Sequence, residues 1–208
     1  MYNLDTTYAR KSEFSRITEK GAYTGKFTSV YEVTAKSGTK GITFHFMSDD
    51  GESCTLSIYT EKSDGTKIFG YNMLMALMTC MQLRTLTGET GEVEMWVDGN
   101  KVPAKTTVFQ ELMDKPIGLV LNTEEFETRS GESRTRMVIY GVYQAATRLI
   151  ASEILDRQTV PEKLDKVIQS LNKKQTKKAS SSLPPTYSYA AQAQATGNMH
   201  DMNDDIPW

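Results

Sequence analysis

The sequence predicts a mainly β fold: a small barrel of short strands with one inserted helix, followed by C-terminal helices and a disordered acidic tail. Three observations predict it. Between Gly21 and Tyr143, runs rich in β-branched and aromatic residues alternate apolar with polar and are separated by Gly- and Asp-containing turns. One segment, Asn72–Arg84, switches to helical spacing. Beyond Lys178 the chain becomes Ser-Ser-Ser, Pro-Pro and an Ala/Gln repeat, which cannot offset its ordering entropy by burial. With 208 residues, 38% hydrophobic and 24% charged, there is room for one sizeable domain and an appendage. The expected division is an arm at 1–20, the barrel at 21–143, helical segments at 144–172, a disordered linker at 173–198 and an acidic tip at 199–208.

The elements follow in order. Lys26–Ala35 is rich in β-branched and aromatic residues and ends in the turn Ser37-Gly38-Thr39-Lys40-Gly41. Ile42–Met47 alternates strictly, Asp49-Asp50-Gly51 turns the chain, and Cys54–Tyr59 alternates again. This three-stranded meander turns Ile42, Phe44, Phe46, Cys54, Leu56 and Ile58 to the core. In the helical segment Met73, Leu74, Leu77, Met78 and Met81 fall on one face, and Met and Leu favour helix. Val93–Val97 is a further strand, followed by a long irregular stretch containing Pro103 and Pro116. A last hairpin pairs Gly118–Phe126 with Arg134–Tyr143. Then Ala145–Asp156 is expected to be helical, and Thr159-Val160-Pro161-Glu162 opens a second helix with a Thr-x-x-Glu capping box.

Several classes are excluded or disfavoured. No window approaches eighteen apolar residues, so no membrane-spanning segment is expected. Met1–Lys20 lacks the apolar run of a signal peptide. Cys54 and Cys80, with two histidines, support neither a disulfide scaffold nor a zinc site, and a reducing cytoplasm is the expected location. No phosphate-binding loop, dinucleotide fingerprint or hydrolase motif is present, and Gly38-Thr39-Lys40 sits in a hairpin turn. Glu92 with Glu94 resembles a nuclease carboxylate pair but lacks a following Lys; Glu124, Glu125 and Glu127 with Asp98 have the chemistry to gather a metal, and a solvated hairpin edge explains them as well. No enzyme activity, metal or cofactor is expected.

The sharpest signal is the terminus. Asp204-Asp205-Ile206-Pro207-Trp208 ends a polar stretch with two carboxylates, an aliphatic, a proline and an indole. Proline limits backbone freedom, Ile and Trp fill apolar pockets and the acids seek a cationic clamp, so this is a peptide built as a ligand. It closely resembles the acidic tip of bacterial single-stranded-DNA-binding proteins, which typically ends Asp-Asp-Asp-Ile-Pro-Phe after a Gly/Pro/Gln-rich linker. Asp204, Asp205, Ile206 and Pro207 match that pattern; Asn203 stands where a third Asp often sits, and Trp208 replaces the terminal Phe. The resemblance implies recruitment of replication, recombination and repair proteins through these five residues. Strand–strand–strand–helix–strand–strand is also the element order of an OB-fold, a barrel that commonly binds single strands. The long second half and the C-terminal helical pair look more like phage-encoded members of that family.

Sequence-tolerant single-strand binding needs exposed rings for stacking and cations for phosphates. Alternation turns His45 and Tyr59 away from the core and places Trp96 beside Glu92 and Glu94. Arg134 and Arg136 lie in line with Tyr140, and Arg129 sits in the preceding turn, making the best basic–aromatic patch. Lys26, Lys62 and Lys67 extend it. The charge distribution pulls the other way: residues 1–158 carry a net −3, while 159–178 carry +4. Two rivals therefore remain open, an adaptor that captures a host replication protein through the tip without binding DNA, and a protein that anneals single strands. The helices at 145–172 are free, on sequence alone, to pack on the barrel, pair two subunits into a homo-oligomer or support cooperative binding.

Overall fold

A computed structural model describes residues 15–97, 100–127 and 131–173. The protein is mainly β: an antiparallel seven-stranded sheet with one substantial inserted helix and short helices at its C-terminal end. Strands β1 (Gly21–Thr34), β2 (Lys40–Ser48) and β3 (Ser53–Glu61) form the expected meander. Helix α1 (Phe69–Cys80) follows, then the hairpin β4 (Glu89–Val97) and β5 (Asn100–Val108). A second hairpin, β6 (Pro116–Glu127) and β7 (Ser133–Tyr143), precedes α2 (Ala151–Leu155) and α3 (Leu164–Lys173).

β1 organises the sheet. One edge pairs with β2 along most of its length. On the other edge Gly21–Lys26 pair with β6, and the far end meets β5 at Tyr31↔Val108. A bulge between Phe27 and Ser29 bends the strand between these two neighbours. The order β3-β2-β1-β6-β7, with α1 entering after β3, is OB-like, and the β4–β5 hairpin is an insertion after the helix. β7 lies against β3, but no hydrogen-bonded ladder joins them among the described residues, so the barrel sheet is not closed.

The interior follows from alternation. Ile42, Phe44, Phe46, Leu56 and Ile58 are buried, and Cys54 is half-buried. Phe27 joins them from β1, its ring 4.8 Å from Phe44 and 6.0 Å from Phe46. Met73, Leu74, Leu77 and Cys80 lay one face of α1 onto this core. The helix ends before the expected Arg84 because Gln82 turns left-handed at φ 56°, while Gln82 N–H donates to Thr79 O and Leu83 N–H to Met78 O.

Gly70 lets α1 begin against β3: a Cβ there would stand 2.0 Å from the Tyr59 carbonyl oxygen, a backbone atom with no rotamer to yield. Gly70→Ala is expected to lower stability by about 1–3 kcal/mol in urea unfolding despite alanine's better helix propensity.

Three local expectations are corrected. The stretch around Pro103 is strand β5, not irregular. Proline lacks a donor, yet β5 tolerates it because Pro103 faces Glu94 of β4 while the ladder to β1 is confined to Val108. Residues 145–150 do not begin a helix: Arg148 N–H returns to Gln144 O and Arg148 adopts φ 63°, so only Ala151–Leu155 is helical. The Thr159 capping box does not form either, and α3 starts at Leu164.

The cap comes instead from Glu153. This residue has no exposed surface; its Oε2 accepts Ile150 N–H at 3.0 Å, and its Oε1 accepts Glu162 N–H at 2.8 Å and Lys163 N–H at 2.9 Å. One carboxylate thus ties α2 to the donor-rich start of α3, where negative charge is favoured over a neutral hydroxyl. Burial pushes its pKa up, but the three N–H donors and Lys163 outweigh that push and the net shift is downward. The helices pack on the barrel: Leu164 and Leu171 cover Val120 and Tyr143, and Ile154 packs against the main core.

Candidate nucleic-acid interface

The sheet face opposite the core is built by cross-strand register. Tyr31 pairs with Thr43, Thr43 with Ser57, His45 with Thr55, and Gly41 with Tyr59. The side chains of Tyr31, Thr43, His45, Thr55, Ser57 and Tyr59 form one polar–aromatic track. Thr43 and Ser57 hydroxyls lie 2.9 Å apart, and Thr55 Oγ1 is 3.1 Å from His45 Nδ1. The other His45 nitrogen is 3.4 Å from the Tyr31 hydroxyl, with the two rings 5.8 Å apart. His45 and Tyr59 are half-buried rather than fully outward, and Tyr31 and Thr43 are buried. Burial raises the Tyr59 pKa, and the charge of Arg136 on β7, the strand packed against β3, opposes that rise.

Lys26 lies opposite Met47 and is ion-paired with Asp114 at 2.6 Å. Lys62 and Lys67 sit beyond the far end of β3. Lys62 is exposed in the Lys62–Thr66 turn; Lys67 pairs with Glu61, holding that carboxyl below its ordinary value, and its ammonium lies 4.8 Å from the centre of the Tyr71 ring. Arg134 pairs with Glu132 at 3.0 Å. Arg136 donates through Nε and Nη2 to Glu124 Oε2, at 3.0 and 2.8 Å, and its Cζ lies 5.4 Å from the centre of the Phe126 ring. Four of the expected cations are therefore already held by acids of the same chain.

Tyr140 departs from the expected line with Arg134 and Arg136. The register shifts between Val120 and Leu121, so Tyr140 has no register partner between Ile139 and Gly141. It packs with α3 residues, its hydroxyl 3.1 Å from Ser170 Oγ, which removes it from the patch. Trp96 occupies the β4 position paired with Lys101, in line with Glu92 and Glu94, but its side chain lies outside the described residues. Arg129 and the tip Asp204, Asp205, Ile206, Pro207 and Trp208 lie outside them as well.

Two aromatics of this surface were not singled out from sequence. Tyr31 reaches the track because the bulge at Thr28 resets the alternation of β1, which no local pattern announces. Phe126 was detectable, since hairpin pairing puts it on the face of Glu124, Arg134 and Arg136.

The thiols of Cys54 and Cys80 are both pushed up to about 12 by burial, which keeps these two side chains protonated at neutral pH. Among the described residues, no three His, Cys, Asp or Glu side chains gather as a metal site, and no helix is long and apolar enough to cross a membrane. The chain matches no protein-family model and no curated protein sequence.

Proposed function

We propose that the protein binds single-stranded DNA and recruits partner proteins through Asp204–Trp208, acting in DNA replication, recombination or repair in the cytoplasm of a bacterial host. The observation that carries this reading is the polar–aromatic track of His45, Thr55, Ser57 and Tyr59, backed by the buried Tyr31, on an OB-like sheet whose β3 packs against β7. Hydroxyls and imidazole suit phosphate and base edges, and the half-buried Tyr59 ring suits stacking. Two functions then separate along the chain, with DNA assigned to the barrel and partner recruitment to the tip. The tip's acids also suit the DNA face when DNA is absent, which makes them a competitor as well as a hook.

The test is titration of fluorescent oligo-dT with full-length protein and a 1–198 truncation across a salt series. Micromolar or tighter binding that survives truncation and weakens with salt is expected. Absence of binding by both proteins would overturn the reading. That result would favour an adaptor that uses only the tip, a rival supported by the four cations already neutralised within the chain.

A further inference from the structure

Glu124 and Arg136 are register partners on the β6–β7 hairpin, and Phe126 is the partner of Arg134. These four side chains share one face of the hairpin, whose strand β7 packs against β3. Two donors of Arg136 converge on one oxygen of Glu124, and the guanidinium also lies over the Phe126 ring. The groups most useful to a nucleotide, a guanidinium and a ring, are thus occupied with each other and with a carboxylate. Both charged partners remain solvent-accessible, with Arg136 32% and Glu124 51% exposed.

We propose that Glu124 is an internal competitor for a DNA phosphate, and that Arg136 with Phe126 forms a clamp opened by exchange. This rests on the single-strand reading above and assigns it a site. The phosphodiester replaces the carboxylate on the guanidinium, since both are oxyanions that accept its converging donors. As Arg136 turns toward the phosphate it leaves the Phe126 ring, and an unpaired base takes its place on that ring. The ligand class is a phosphodiester beside an unstacked base, which a duplex does not offer. Exposed ion pairs contribute little, so exchange is inexpensive, yet the displaced carboxylate stays close enough to repel the phosphate.

The experiment compares wild type, Glu124→Gln, Arg136→Gln, the double variant and Phe126→Leu, all full-length, in oligo-dT titrations over a salt series. Glu124→Gln is expected to bind about three- to fivefold tighter at low salt. Its salt slope should steepen by up to about 0.7, the share of one single-strand phosphate contact. In the Arg136→Gln background the gain should vanish, because the competitor has nothing left to hold. Phe126→Leu should weaken binding by about fivefold or more. If wild type binds but Glu124→Gln gains nothing, the exchange clamp is wrong while the DNA reading stands. An equal gain in the Arg136→Gln background also overturns it, since that is the signature of bulk charge alone. If none of the five proteins binds, both readings fall together.

Discussion

Glu153→Ala is expected to lower the unfolding free energy by about 3 kcal/mol or more in urea titrations at neutral pH. Three backbone donors, Ile150, Glu162 and Lys163, lose their acceptor at once in a site from which the carboxylate itself has no exposed surface. Leaving a buried donor unsatisfied costs about 1–3 kcal/mol, and the start of α3 also loses its compensating charge. The effect is pH-dependent with a definite sign. The folded pKa lies below the ordinary 4.5, so the ionised carboxylate contributes its stability above that value and loses it as pH falls from there through the folded pKa. Against Glu153→Gln, whose side chain does not titrate, the wild-type advantage should stay constant at higher pH and shrink below about pH 4.5. An advantage that stays flat into strong acid would count against an ionised clasp.

Tyr59→Leu is expected to weaken oligo-dT binding by about 1–3 kcal/mol, roughly 5- to 150-fold, if that ring stacks a base. Leucine keeps apolar bulk at a half-buried position, so the melting temperature should change far less than the affinity. The ring's place is well defined: Tyr59 faces Gly41 across the β2–β3 ladder, its backbone abuts Gly70, and β7 packs against its strand. An unchanged affinity would move the stacking site along the track toward His45, and a comparable loss in stability would make Tyr59 a packing residue instead.

The legibility of the chain differs by segment for physical reasons. The meander was readable because period-two alternation and Gly-containing turns act over a few residues, so Ile42, Phe44, Phe46, Leu56 and Ile58 all reach the interior. The β6–β7 hairpin was readable likewise, with Gly118 opposite Tyr143 and Phe126 opposite Arg134. β5 was hidden by Pro103, whose cost in a strand depends on which edge is unpaired, a property of the sheet. The helical C-terminal segment misled in detail because a local capping box competes with a carboxylate from elsewhere, and Glu153 supplies charge where Thr159 offers a hydroxyl.

For the candidate site, residue types and strand faces were determined by the sequence itself: His45 and Tyr59 share the non-core side of β2 and β3, and Arg134 and Arg136 share one side of β7. The ligand-like chemistry of Asp204–Trp208 is likewise a property of the sequence alone. Tertiary structure decided which of these groups meet. It packed β7 against β3, carried Tyr140 under α3 through a register shift, brought Tyr31 to His45 through a bulge, and gave four cations an acid each. The reason is one of range. Alternation follows from backbone geometry within a single strand, whereas strand adjacency, bulges and ion-pair partners depend on groups far apart in the chain that only the folded sheet brings within a few ångströms.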